Sequence, residues 1–167
     1  MTWNAEAVQQ AEVTPEYLFK IGKRHKLLSE NITDSIDYYR NLAGSCRVIE
    51  IKDGGDTVAH LIVSNIVDGD SADVDFVPRP KNFITGSGYE EQMQDVVTPV
   101  LRGLMTMRSL RRLTAMIPKS RNRTCNALRS VGFEKEGVMR DAICLIGDPP
   151  AGGVQDVVIM GLLAKKE

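Results

Sequence analysis

The sequence predicts one α/β domain built on a mixed, mostly antiparallel sheet with flanking helices. Three observations predict it. Between Arg47 and Val77, three short aliphatic runs are separated by the turn sequences Asp53-Gly54-Gly55-Asp56 and Asp68-Gly69-Asp70, which reads as an antiparallel meander. After that meander, Met93, Val96, Val97, Val100, Leu101, Leu104 and Met105 recur at the spacing of an amphipathic helix. A further strand, Arg112–Ile117, follows the helix, so the strands on its two sides should run parallel.

Length and composition narrow the class. A chain of 167 residues suits one domain, 1–167, able to bury roughly two thirds of its unfolded surface. With 21 basic and 22 acidic residues, global charge selects no partner. The longest apolar run, Val157 to Ala164, has eight residues, well under the roughly 18–20 of a membrane span, so no membrane partner is expected. The N-terminus lacks the basic start and apolar stretch of a signal peptide. Cys46, Cys125 and Cys144 are widely spaced without a Cys-x-x-Cys pair, which suits reduced thiols and a cytoplasmic setting. Two histidines, His25 and His60, do not make a metal cluster.

Taken in order, residues 1–13 are polar and predict no element. Thr14-Pro15-Glu16 is a helix start, with a hydroxyl cap, proline at the first position and an acid facing the dipole. Leu18, Ile21, His25 and Leu28 then share a face, predicting a helix over about 15–28 with His25 partly buried. Thr33 or Asp34 starts a second helix carrying Ile36, Tyr39 and Ala43, with Gly44 as its stop. The meander strands are expected at Arg47–Ile51, Thr57–Ser64 and 73–77. Pro99, opposite the apolar stripe of the long helix, predicts a kink. Ser120 or Asn122 would cap a short helix bearing Ala127, Leu128 and Val131 and closed by Gly132. Strands near 137–146 and 155–163 end the chain, separated by the Gly- and Pro-rich stretch Gly147 to Gly153.

Two features point to an anion. The segment Pro80 to Tyr89 joins a strand to a helix and carries Gly86 and Gly88. Glycines there let backbone N–H groups converge on a phosphate, and a helix N-terminus adds partial positive charge. Between Val96 and Phe133 stand eight basic residues and no acid, and Lys119, Arg121 and Arg123 fall at the start of the short helix. A phosphate-bearing ligand accounts for that placement. Nucleic acid does not, because no aromatic residues interleave with the charges and the pI is near 6.2.

On these motifs the chain resembles the GCN5-related N-acetyltransferase superfamily, whose members use acetyl coenzyme A. The family's loop, Pro-x-x-Arg/Gln-x-x-Gly-x-Gly/Ala, is matched in spacing by Pro80, Phe83, Gly86 and Gly88. The branch that acetylates N-termini of ribosomal proteins is similar over the second half. Thr124 and Leu128 stand where it has Ser and Leu before its Gly-Phe pair, here Gly132-Phe133, and Glu136-Gly137 with Arg140 and Asp156 to Met160 follow. The resemblance covers 46–163 well and the helical 1–45 poorly. Three positions depart from the pattern. Phe83 replaces the basic or amide residue of the loop, Arg121 stands where asparagine is usual, and Leu128 aligns with the tyrosine that many relatives use to protonate the departing thiolate.

The resemblance implies transfer of acetyl from acetyl-CoA to an amine, above all a protein N-terminus, by direct attack without an acyl-enzyme. Residues Phe83, Ile84, Thr85, Gly86, Ser87 and Gly88, with Arg121 and Arg123, would hold the cofactor. The backbone N–H of Val77 would receive the oxyanion, since Pro78 has none. Asp75, on the polar face of its strand, would serve as base and Thr124 as proton donor to the thiolate; Glu50 and His60 are reserve candidates. The alternative is a module that keeps this fold without the chemistry, placed in a larger assembly such as a phage particle, with the N-terminal helices docking a partner or a second copy.

Overall fold

A computed structural model of the chain describes residues 2–24, 36–79, 87–145 and 152–166. Among these, β1 (Trp3–Ala7), β2 (Arg47–Asp53), β3 (Asp56–Val67), β4 (Ser71–Pro78), β5 (Arg112–Pro118), β6 (Glu134–Leu145) and β7 (Gly153–Leu163) form one sheet. Its order is β1-β2-β3-β4-β5-β7-β6, with β4 and β5 parallel and the other neighbours antiparallel. The expected mixed sheet is therefore present, and the crossover from β4 to β5 makes the parallel pair.

That crossover is helical from Ser87 to Met107. It runs as α3 (Ser87–Gln92), a π-helical turn (Met93–Val97) and α4 (Thr98–Met107). The irregularity expected from Pro99 falls in the turn just before it. Pro99 supplies no N–H and its ring crowds the carbonyl four residues back, and the wider π turn relieves both. Met93, Val97, Leu101 and Met105 from this crossover pack with Val74, Phe76, Leu113 and Ala115 into the larger core. Leu101 is fully buried there. Leu101→Ala should lower unfolding free energy by about 2–5 kcal/mol, read by urea denaturation.

A second, smaller core lies on the opposite face of the sheet. Helices α1 (Pro15–Arg24) and α2 (Ile36–Ala43) bury Leu18, Ile21, Tyr39 and Ala43 against Val48, Ile62 and Val77. The apolar faces of both helices are thus covered by the chain's own sheet. At the start of α1 the Tyr17 N–H donates to Thr14 Oγ1 at 3.1 Å, the expected hydroxyl cap. The expected continuation of α1 through 28, His25 and the start of α2 at 33 or 34 lie outside the described residues.

Two expectations are corrected. Residues 3–7 form a strand, antiparallel to β2 from Trp3↔Asp53 to Ala7↔Ile49, with Trp3 buried in the larger core. The last helix, α5 (Asn122–Ser130), has Arg121 at its N-cap and no side-chain capping bond, so neither Ser120 nor Asn122 caps it. Ser120 is held another way: its N–H donates to Gln155 Oε1 at 3.2 Å. Cys46 and Cys125 are buried and Cys144 is half-buried, and none of the three is in a disulfide. No helix among the described residues is long and apolar enough to cross a membrane.

Candidate active site

The sheet opens where β4 and β5 part. Their parallel ladder has three pairs, Ser71↔Arg112, Ala72↔Leu113 and Asp73↔Thr114. Beyond it β4 continues to Pro78 on β3, while β5 continues to Pro118 on β7. The two strands therefore diverge after Asp73 and Thr114. A gap between two diverging strands can admit an extended ligand.

Asp75 is the first residue past the split on the α1/α2 face. With Val77 of β4 and Met116 and Pro118 of β5 it lines a cleft of about 440 Å³ walled by α1 and α2. The side chain is exposed where the cleft opens to solvent, with protein crowded around its base. Loss of bulk water pushes its pKa up to about 6, with a smaller contribution from the charge of Asp73. Tyr38 of α2 stands close enough that burial and then the Asp75 charge raise its own pKa. Nothing in the sequence singled out Tyr38, because its nearness depends on how α2 crosses β4. Asp73 has a different setting: it accepts from Asn65 Nδ2 at 2.8 Å at the last paired level of the split.

The expected oxyanion donor, Val77, is turned the other way. Antiparallel residues alternate between pairs that exchange both backbone bonds and pairs that exchange none. The Arg79 N–H donates to the Val58 carbonyl at 2.8 Å, which fixes the phase of the ladder. With register unbroken from Pro78 back to Asp73, Val77 falls on a bonded pair with His60 and Asp75 on one with Ile62. Phe76 sits on the intervening pair, so its N–H faces β5, where that strand has moved away. Side chains alternate in step: Phe76 enters the larger core and Val77 the smaller.

On the opposite face, α5 presents its N-terminus. Arg123, at its second position, is exposed, and Arg121 at the cap is half-buried, with burial lowering its pKa from the ordinary value. Five other cations of the basic stretch are engaged elsewhere. Arg102 donates to the Leu163 carbonyl, Arg129 to Asn126, and Arg108, Arg111 and Arg112 pair with Asp68, Asp70 and Glu136. Lys119, Arg121 and Arg123 gather at one helix end, where α5 begins. Thr124 is buried in the first turn of α5. Leu128, at the position where relatives have tyrosine, is fully buried in the larger core and contributes packing.

Of the loop, Phe83, Ile84, Thr85 and Gly86 lie outside the described residues. Ser87 opens α3, and Gly88 follows with no atom of the described residues where a Cβ would stand. The reserve candidates are brought together but away from the cleft. Glu50 and His60 are opposite each other on β2 and β3, and the Tyr17 hydroxyl donates to Glu50 Oε1 at 2.7 Å with its ring edge-on to His60. Among the described residues no group of three or more His, Cys, Asp and Glu could hold a metal ion.

No family model matches this sequence, and no curated protein does. Solved structures do match the fold. The chain is similar to spermidine N-acetyltransferase from Vibrio cholerae in complex with CoA and spermine, at 16% identity and a TM-score of 0.68, covering 97% of this chain and 95% of that one. It is similar to the ribosomal-protein-S18-alanine N-acetyltransferase from Escherichia coli, at 14% identity and a TM-score of 0.65, covering 99% and 97%. A ribosomal L7/L12 alpha-N-protein acetyltransferase in complex with coenzyme A matches at 15% identity and a TM-score of 0.67, covering 98% and 95%. This chain shares its fold with these N-acetyltransferases over 97–99% of its length, the N-terminal third included.

Proposed function

We propose that this chain is an acetyl-CoA-dependent N-acetyltransferase whose acceptor is a protein N-terminus. The observation that carries the reading is the split between β4 and β5. It has a carboxylate of raised pKa on one face and a cationic helix end on the other. The two substrates would meet in the gap from opposite sides of the sheet.

Each residue then has a task. Asp75 takes the proton of the entering ammonium. An α-amino group titrates near 7.7–8.0, about two units above Asp75, whereas a lysine or alkylamine near 10.4 stands about four above, so proton transfer to Asp75 is easier from an N-terminus. The freed amine attacks the thioester carbonyl and a C–N bond forms. The Phe76 N–H, in place of Val77, donates to the oxygen as it becomes an oxyanion, a contact of roughly 3–4 kcal/mol in comparable sites. As the C–S bond breaks, the nitrogen gives its second proton to a water, and Thr124 passes its hydroxyl proton to the thiolate and recovers one through that water. Ser87, Gly88 and the preceding loop from Phe83, with Arg121 and Arg123, hold the pyrophosphate; there Arg121 supplies the charge that Phe83 does not.

Thr124→Val keeps the shape and removes the proton donor. It should lower kcat about tenfold or more with little change in acetyl-CoA affinity, measured by thiol release with an N-terminal peptide acceptor. Unchanged kcat would move that proton to solvent. The alternative, a module with the fold and without the chemistry, is favoured by Phe83 and Leu128 at two positions where relatives carry functional side chains. It predicts neither acetyl-CoA binding nor thiol release with any amine.

A further inference from the structure

Among the described residues, the cleft on the α1/α2 face has one charge in an otherwise uncharged and mostly apolar lining, and that imbalance bears on which amine it accepts. Leu18, Ile21 and Leu42 from the helices and Ile62, Met116 and Ile143 from β3, β5 and β6 form its walls. Asp75 is the only charged side chain among the described residues that line it. Outside this lining, Asp73 accepts from Asn65 at 2.8 Å, and Asp37 of α2 pairs with Arg40 at 2.7 Å. Tyr38 and Tyr39 add aromatic surface and no charge at neutral pH.

Resting on the acetyltransferase reading, we propose that the cleft selects an acceptor with a single positive charge flanked by apolar groups, an N-terminus with aliphatic leading side chains, and rejects polyamines. One ammonium entering the cleft meets one carboxylate. The second ammonium of a polyamine, a few methylenes further on, would lose its water against leucine, isoleucine and methionine with no partner. Aliphatic side chains beside the reacting amine would cover the same walls favourably. Discrimination by a stranded charge is also stronger than discrimination by one methylene more or less.

Met116 is the position that sets this preference. It lies at the level of Asp75 if the Asp73↔Thr114 register is continued across the split, and it is 50% exposed. Met116→Glu would therefore add a second carboxylate to the cleft without disturbing the core. The test is thiol release by the full chain with acetyl-CoA, comparing spermidine with a short peptide whose first residues are aliphatic and whose other side chains are uncharged. The expected result is a kcat/KM for the peptide at least tenfold above that for spermidine, with Met116→Glu shifting the ratio about tenfold toward spermidine. Spermidine used as well as the peptide by the unaltered protein would overturn the proposal. A ratio unmoved in Met116→Glu would overturn the charge-counting argument behind it. No thiol release with either amine would bring down the acetyltransferase reading, and this inference with it.

Discussion

Asp75→Asn should lower turnover by about 10²–10⁴-fold and raise thermal stability at neutral pH. The two effects have one cause. The fold holds the carboxyl of Asp75 near 6, above its ordinary value of 3.8, because the cleft wall takes water away from the charged form and Asp73 adds a like charge. A carboxylate whose folded-state pKa is raised opposes folding when ionised. Stability is therefore lost as pH rises from about 4 through about 6 and stays reduced above it. Asparagine cannot ionise, so the variant should melt higher than the parent at pH 7–8 and show no stability change across that window on account of this group. Catalysis runs the opposite way with pH. As a base, Asp75 must be ionised, so kcat/KM should fall about tenfold per pH unit below roughly 6, and Asp75→Asn should lack that limb. A variant that keeps full activity would remove Asp75 from the mechanism; one that loses activity and stability together would point to a structural role.

Gly88→Trp should weaken acetyl-CoA binding at least a hundredfold, about 2.7 kcal/mol, and leave the fold intact. An added Cβ at Gly88 meets no atom of the described residues within 4 Å, and the residue is exposed near the start of α3. The indole would occupy the space where the loop and helix N–H groups are proposed to meet the pyrophosphate. Far-ultraviolet circular dichroism should match the parent, while calorimetric affinity collapses. Equal affinity in the variant would place the phosphates elsewhere.

Much of this architecture was legible because it is written in local patterns. The Asp-Gly turns fixed the meander of β2, β3 and β4, and the apolar stripe from Met93 to Met105 fixed the crossover, so the parallel pair β4–β5 followed. The first strand was not legible. Among residues 3–7 only Trp3 is a large apolar residue, and the pairing that orders them is with residues 49–53, far along the chain. The Arg121 cap was hidden as well, since Ser120 and Asn122 are both better capping residues, and the turn is instead held by Gln155 from β7.

The site divides in the same way. Alternation placed Asp73 and Asp75 on one polar face and made them equivalent. What separates them is the opening of the sheet between them, since Asp73 is level with the last pair and Asp75 stands one step beyond it. The choice between Val77 and Phe76 as donor turns on the phase of the β3–β4 ladder, which depends on a bond from Arg79 to Val58 that no sequence pattern announces. The basic stretch was visible, but sorting it required the partners of Arg102, Arg108, Arg111, Arg112 and Arg129. Tyr38, Met116 and Ile143 come to the cleft from three separate elements and share no spacing that could have linked them.

The central claim is that the split sheet binds acetyl-CoA with the α5 N-terminus as its phosphate end. Calorimetric titration of the full chain with acetyl-CoA, and with free coenzyme A as a second ligand, tests it most directly. The account predicts saturable binding of both in the micromolar range, weakened in Gly88→Trp and in Arg121→Ala. Absence of heat at millimolar ligand, from a protein that melts cooperatively, would contradict it and leave the fold without its expected chemistry.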